Sequence, residues 1–103
     1  MKKIYLLTTV HIGDPIWQWG QLCIERKRSV GWFSSYSDAE EIVRKNIGDI
    51  YEAGHYDHCV IEELYYGLYP TVIKERWFEW LNGRYQQIKK PLGLEKVTNF
   101  GIG

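Results

Sequence analysis

Residues 76–88 read RWFEWLNGRYQQI, two runs rich in aromatic and apolar side chains separated by Asn82 and Gly83. An Asn-Gly pair supplies the positive φ angles of a type I′ turn, which joins two antiparallel strands through a two-residue loop. A loop of that length sets the register and places Trp80 opposite Tyr85. This stretch therefore predicts a β-hairpin with an aromatic cross-strand pair.

Three more strand-like runs lie upstream of the hairpin. Residues 3–12, KIYLLTTVHI, are β-branched or apolar on both alternating faces, which is typical of a central strand. Residues 21–33, QLCIERKRSVGWF, fit either one long strand or two short strands that turn around the charged ERKR, and we favour strand character at both ends. Residues 59–65 form a further strand, closed by the breakers that follow it.

A single helix is predicted between the second and third of these strands. Ser37 and Glu40 have the spacing of a capping box, in which each side chain satisfies a free amide of the first turn. We expect the helix to cover about 37–53 and to stop before Gly54. Its apolar positions recur at helical spacing: Ala39, Ile42, Val43, Ile47 and Ile50. The expected ion pairs on its outer face are Glu40 with Arg44 and Glu41 with Lys45.

These elements follow one another in the order ββαβββ. That order predicts an α+β fold with a mainly antiparallel sheet of about five strands and one helix packed on one face. The length of 103 residues suits a single domain covering 1–103. The final VTNFGIG, residues 97–103, is expected to be an extended piece and a possible last strand.

Composition excludes several classes of function. Lys plus Arg and Asp plus Glu number 13 each, so no net charge draws the chain to nucleic acid or to an anionic membrane. Cys23 and Cys59 are too few for a disulfide framework, and the first residues do not resemble an export signal. We therefore expect a cytoplasmic protein with reduced thiols, and no direct binding of nucleic acid or membrane.

A zinc site is the first chemistry to weigh. His55, His58 and Cys59 lie close together in the sequence, and His11 and Cys23 could join them. The spacing H-x-x-H-C does not match a paired-ligand motif, and neighbouring residues of a strand point to opposite faces. We expect loop histidines and a buried thiol, with no metal and no cofactor.

Acid/base catalysis is the second chemistry to weigh. Glu62 and Glu63 are adjacent on a predicted strand and so project to opposite sides of the sheet. Catalysis would need a partner such as His11 or Asp57, brought in by the fold. Most such acidic pairs are solvated or paired with arginines, and no nucleophile or phosphate-loop motif is present. We assign no catalytic residue, and a small enzyme is the least favoured of the functions considered.

The aromatic content, five Trp, eight Tyr and three Phe, is the feature that best suggests binding. These rings either wrap a small core or form a binding surface. The positions of Arg26, Arg28 and Trp32 differ by two and by four, so one regular strand would place all three side chains on one face. We predict a ligand site in which these arginines hold phosphates and Trp32, Trp17 or Trp19 stacks on a base.

Several segments are similar to a pattern in a family of small accessory proteins of phages and gut Firmicutes. They are GWFSSYSDAEEIV at 31–43, CVIEEL at 59–64, then GLYP, RWFEW and VTNFGIG. The resemblance implies a mobile-element accessory protein that acts by binding. Such a counter-defence protein either sequesters the nucleotide messenger of a host defence system or blocks a host defence protein.

Two binding functions follow from these observations. In the first, the chain sequesters a small nucleotide-type ligand, in a site shared between subunits of a possible homo-oligomer. In the alternative, it is a protein-binding inhibitor of a host defence protein, with its aromatic loops forming a hot-spot patch. Arginines and tryptophans cluster in the first third of the chain, which favours the first.

Overall fold

The computed structural model describes residues 2–13, 24–68, 70–95 and 97–101. Its elements, in chain order, are β1 (Lys3–Ile12), β2 (Ile24–Phe33), α1 (Tyr36–Arg44), a 3-10 turn (Glu52–Gly54), β3 (His58–Tyr65), β4 (Val72–Leu81) and β5 (Arg84–Ile88). The order ββαβββ and the α+β class are confirmed.

The five strands form one antiparallel sheet in the order β2-β1-β3-β4-β5. β1 lies between β2 and β3, which agrees with the prediction that residues 3–12 form an interior strand. β2 is a single strand that includes the charged ERKR, so the two-strand alternative is wrong. It is also one of the two edge strands of the sheet.

The two faces of the sheet are covered by different segments. On the face that we call the helix face, α1 packs over Leu7, Ile61 and Phe78. On the opposite face, Leu94 and Phe100 pack against Val10, Val60 and Trp77; we call this the C-terminal face. The prediction of a helix on one face is confirmed. Cover from the C-terminal residues was not predicted, because it depends on contacts between distant parts of the chain.

The helix is shorter than predicted and starts differently. It begins at Tyr36 with Ser35 as the cap residue, so Ser37 lies within the first turn and the predicted capping box is wrong. The hydroxyls of Ser35 and Ser37 instead lie 2.8 Å apart. The helix ends at Arg44, well before residue 53.

The early end of the helix has a backbone cause. Asn46, Gly48 and Asp49 have φ angles of 49°, 72° and 50°, in the left-handed region that an α-helix cannot contain. Within the helix, the predicted pairs are present: Glu40 with Arg44 at 3.3 Å and Glu41 with Lys45 at 3.0 Å. No helix in the described part of the chain is long and apolar enough to cross a membrane.

The hairpin is confirmed. Asn82 and Gly83 have φ angles of 55° and 82°, as a type I′ turn requires, and Trp80 pairs with Tyr85. Residues 97–101, by contrast, form no strand, so the prediction of a possible last strand is wrong for the part of that segment that the structure describes.

Candidate functional site

Arg26 and Arg28 lie on the same face of β2, as predicted. Arg28 is paired with Thr9 of β1, and Arg26 with His11. Residues directly opposite in an antiparallel pair share a face. Both arginines therefore lie on the helix face, near the end of the sheet where β2 begins.

Trp32 lies on the other face of the sheet. It is paired with Leu6, which has the opposite parity to Thr9 in β1. The register shifts between Ser29 and Gly31, so Val30 is an extra residue in β2. Such a β-bulge reverses the alternation of the residues beyond it. The prediction that Trp32 shares a face with the arginines is therefore wrong. Trp17 and Trp19 lie outside the described residues.

Arg28 lines a groove between β1, β2 and the residues that follow α1. The groove has a volume of about 590 Å³, which is within the common range for small-ligand sites. Its lining residues are Thr9, Arg28, Val30, Ile47, Gly48, Asp49, Ile50, Glu52, Ala53 and His55. We call it the Arg28 groove. Thr9 and Ile50 are buried, so its floor is largely closed to water.

One wall of the Arg28 groove has an unusual backbone. Asp49, Glu52 and Ala53 have φ angles of 50°, 49° and 52°, a region that non-glycine residues seldom adopt. Each such residue costs roughly 1–3 kcal/mol and persists only where surrounding contacts hold it. The ring of Tyr51 stacks on Trp80 with centroids 3.8 Å apart, which fixes this wall against β4. The wall is therefore held in a defined shape.

Arg28 already has a partner in the groove. Its Nη1 atom lies 2.8 Å from Oε1 of Glu52, and the two side chains are 60% and 37% exposed. Nη2 of Arg26 donates to the carbonyl oxygen of His55 at 3.1 Å. Both guanidinium groups thus reach the same wall, and Arg28 keeps donors open to water.

A second polar cluster lies at the same end of the sheet. Asp57 is its centre: its two oxygens lie 3.4 Å from Nδ1 of His11 and 2.9 Å from Nδ1 of His58. The outer nitrogens of these rings lie 3.2 Å from Glu25 and 3.5 Å from Glu79. Each imidazole is thus held between two carboxylates. The fold has thus brought together imidazole and carboxylate groups, which are the kinds of group that acid/base chemistry uses.

Of the residues considered for a zinc site, only His11 and His58 belong to this cluster. The residues that the structure describes contain no group of three or more His, Cys, Asp or Glu side chains that could hold a metal ion. Cys59 is buried in the core beneath α1, where burial raises the pKa of its thiol well above the usual value. His55 lines the Arg28 groove, and Cys23 lies outside the described residues.

Glu62 and Glu63 project to opposite faces, as predicted; of the two expected environments, solvation or an arginine partner, Glu63 has the arginine partner and Glu62 has neither. Glu62 is fully buried on the C-terminal face, where its carboxylate accepts the amides of Phe100 and Gly101. Glu63 on the helix face lies 3.0 Å from Lys3 and 3.3 Å from Arg76. Both carboxylates have structural partners, so neither is a free acid or base.

No protein-family model, curated protein or solved structure matches this chain. Arg28 was predicted from the sequence, but the wall opposite it was not, because residues 45–53 were expected to continue the helix. Asn46 and Gly48, both common in left-handed conformations, were the signal that could have ended the helix earlier.

Proposed function

We propose that this chain is a non-enzymatic binding protein that sequesters a small nucleotide-type ligand in the Arg28 groove. The resemblance to phage and gut Firmicutes proteins supports a role as an accessory, counter-defence protein of a mobile element. The observation that carries the proposal is a groove of ligand size that is lined by an arginine and by the apolar side chains of Val30, Ile47 and Ile50.

The existing partner of Arg28 does not prevent it from binding phosphate. An exposed ion pair such as Arg28 with Glu52 stabilises a protein by only about 0–1 kcal/mol. A charge-assisted contact from a guanidinium to a phosphate contributes about 1.5–3 kcal/mol. The phosphate contact therefore contributes more than the loss of the Glu52 pair costs, and the released carboxylate becomes an acceptor for ligand hydroxyl or amino groups.

The groove also limits the kind of nucleotide. Asp49 and Glu52 place two carboxylates among its lining residues, and these oppose a run of several phosphates. Val30, Ile47 and Ile50 offer apolar surface to a base or sugar. A ligand with one phosphate group, linear or cyclic, fits this arrangement better than a triphosphate.

Titration calorimetry against a panel of cyclic and linear nucleotides tests the proposal. Arg28→Ala should weaken binding at least about tenfold, which corresponds to about 1.4 kcal/mol. Arg26→Ala should have a smaller effect, because its guanidinium is engaged with the His55 carbonyl. Arg84→Ala, on the opposite edge strand, is the matched control and should bind as the wild type does.

The variant Trp32→Ala distinguishes the Arg28 groove from the site predicted from the sequence, in which Trp32 stacks on the base. Because Trp32 lies on the other face, its loss should leave nucleotide affinity unchanged. Each variant is first checked for a wild-type melting temperature, and the nucleotide is recovered after binding to detect turnover. Absence of binding by the wild-type protein would refute the proposal, and conversion of the nucleotide would show an enzyme instead.

A further inference from the structure

The described part of the cover on the C-terminal face reaches partway along the sheet. Gly101 is its last described residue, and its carbonyl accepts a hydrogen bond from Ser29 at 3.2 Å. A side chain at this glycine would lie 3.1 Å from Leu6, so the covering segment reaches this row of the sheet. In that row and beyond it, the same face of the sheet presents apolar side chains that we call the aromatic patch: Trp32, which is paired with Leu6, and Ile4, Leu64, Tyr66 and Leu68.

The aromatic patch has a buried floor and exposed walls. Leu64 is fully buried and Ile4 is half-buried, whereas Trp32, Tyr66 and Leu68 are 67%, 66% and 87% exposed. Ile4, Leu64, Tyr66 and Leu68 line a cavity of about 470 Å³. Contiguous exposed apolar surface with large rings is typical of protein-binding sites, where Trp and Tyr contribute most of the affinity.

The helix face at the same end of the sheet differs sharply. There Tyr5 packs edge-on against Tyr36, with ring centroids 6.0 Å apart. The guanidinium of Arg76 lies 4.1 Å from the centre of the Tyr36 ring. These aromatic side chains are satisfied within the chain. Tyr65, also on the helix face, is 42% exposed, but Nζ of Lys3 lies 5.9 Å from the centre of its ring, whereas Trp32 and Tyr66 on the opposite face are each about two-thirds exposed.

Charge at the aromatic patch is positive. The Nζ atom of Lys2 lies 5.8 Å from the centre of the Tyr66 ring, and within the described ranges no carboxylate is paired with it. The nearby acids are engaged elsewhere: Glu62 is buried under the C-terminal residues, and Glu63 lies on the helix face with Lys3 and Arg76. Among the residues that the structure describes, an incoming surface therefore meets a cation at this patch and no exposed carboxylate.

We propose that the aromatic patch docks a partner protein through an apolar segment flanked by acidic side chains. A second copy of this chain is a poorer occupant, because the patch contains no exposed acid to meet the Lys2 of the other copy. This surface is separate from the Arg28 groove, so the protein can hold a small ligand and a partner at once.

Two synthetic peptides test this proposal by fluorescence anisotropy. One has Leu and Phe at its centre and Glu at both ends, and the other has Lys in place of every Glu. The wild type should bind the acidic peptide and bind the basic peptide at least about tenfold more weakly. Trp32→Ser and Lys2→Glu should each reduce affinity for the acidic peptide by a similar factor. Leu92→Ser removes a comparably exposed apolar side chain elsewhere and is the control.

Three results would overturn the proposal. They are equal binding of both peptides or of neither, unchanged affinity in Trp32→Ser, and a wild-type dimer in sedimentation that Trp32→Ser converts to a monomer. The last would assign the patch to a second copy. Nucleotide affinity measured on Trp32→Ser and Lys2→Glu should stay at the wild-type value, so that failure here and failure of the Arg28 groove are distinguishable.

Discussion

Glu62 accepts the backbone amides of two consecutive residues, Phe100 at 3.0 Å and Gly101 at 2.9 Å. One buried carboxylate on β3 thus fixes the segment that covers the C-terminal face. Phe100 then packs edge-on against Trp77, with centroids 5.0 Å apart. Removal of this carboxylate should loosen the cover without disturbing the strands.

The first prediction concerns pH and Glu62. Burial raises the pKa of its carboxyl, and Glu75 raises it further, while the two amides act in the opposite direction. A group whose pKa is higher in the folded state than in the unfolded state contributes its full stabilisation of the fold at pH values below its unfolded pKa, about 4.3 for Glu. That contribution to stability is lost as the pH rises through the folded-state pKa. We therefore expect the difference in free energy of unfolding between the wild type and Glu62→Gln to shift against the wild type as the pH rises from about 4.3 through the folded-state pKa. Urea denaturation at a series of pH values measures this difference.

Glu63 provides a control of opposite sign for that experiment. Its hydrogen bond with Lys3, with a further contribution from Arg76, lowers the pKa of its carboxyl. Its contribution is present above the unfolded pKa and is lost as pH falls through the lower folded value. The wild type relative to Glu63→Gln should therefore lose stability on acidification. If the stability difference from the wild type changed with pH in the same direction for Glu62→Gln and Glu63→Gln, the opposite pKa shifts of the two carboxyl groups would be contradicted.

The second prediction concerns Asp57. Its Oδ1 atom accepts the amide of Ile12 at 3.4 Å, and its oxygens face His11 and His58. Asp57→Ala leaves these groups without their partner and should reduce the free energy of unfolding by about 1–3 kcal/mol. Glu41→Ala, which removes an exposed helix pair, should cost no more than about 0.5 kcal/mol. Equal losses would mean that the Asp57 cluster is no more than a surface ion pair.

The third prediction concerns the hairpin turn. Gly83 has a φ angle of 82° with open space where a side chain would lie, so Gly83→Ala tests backbone strain alone. It should destabilise the protein by about 1 kcal/mol or more. Gly31→Ala is the matched control, because Gly31 is not in the left-handed region and an added methyl would make ordinary contacts with Phe33. Unchanged melting of Gly83→Ala would contradict a type I′ turn.

The fourth prediction concerns the wall of the Arg28 groove. Trp80→Leu keeps an apolar side chain on β4 but removes the stack on Tyr51, a contact worth about 0.5–1.5 kcal/mol. Faster amide exchange should follow at residues 51–55, with little change in β1. Nucleotide affinity should fall with it if the groove needs its wall in place. Unaltered exchange would show that the wall is held by other contacts.

The parts of the fold that were predictable depend on neighbours in the chain. Asn82 and Gly83 determine their own turn, and the turn determines the pairing of Trp80 with Tyr85. The bulge at Val30 has no such local signal, because its side chain turns to the core in response to packing against other elements. That single displacement explains why both arginines were placed together correctly and Trp32 was not.

The candidate site likewise has a part that was predictable from the sequence and a part that was not. Arg28 was recognisable as a cation on a strand, but its pairing with Glu52 depends on where the helix ends. Glu62 was expected to be either solvated or paired with an arginine, because the sequence does not show that Phe100 and Gly101 return to it across the sheet. Contacts between distant residues therefore account for what the sequence could not predict.

The bulge at Val30 also bears on how β2 can change during evolution. Val30 has no residue opposite it in β1, so deletion of Val30 would leave Gly31 opposite Leu7 and Ser29 opposite Thr8. A variant that is shorter by this residue would keep the basic and aromatic side chains of the strand on their present sides, at the cost of one core contact. An insertion or deletion within a regularly paired stretch of β2 would exchange the two sides of the residues beyond it. Val30 is thus a point in this edge strand where a change of length is compatible with an unchanged surface.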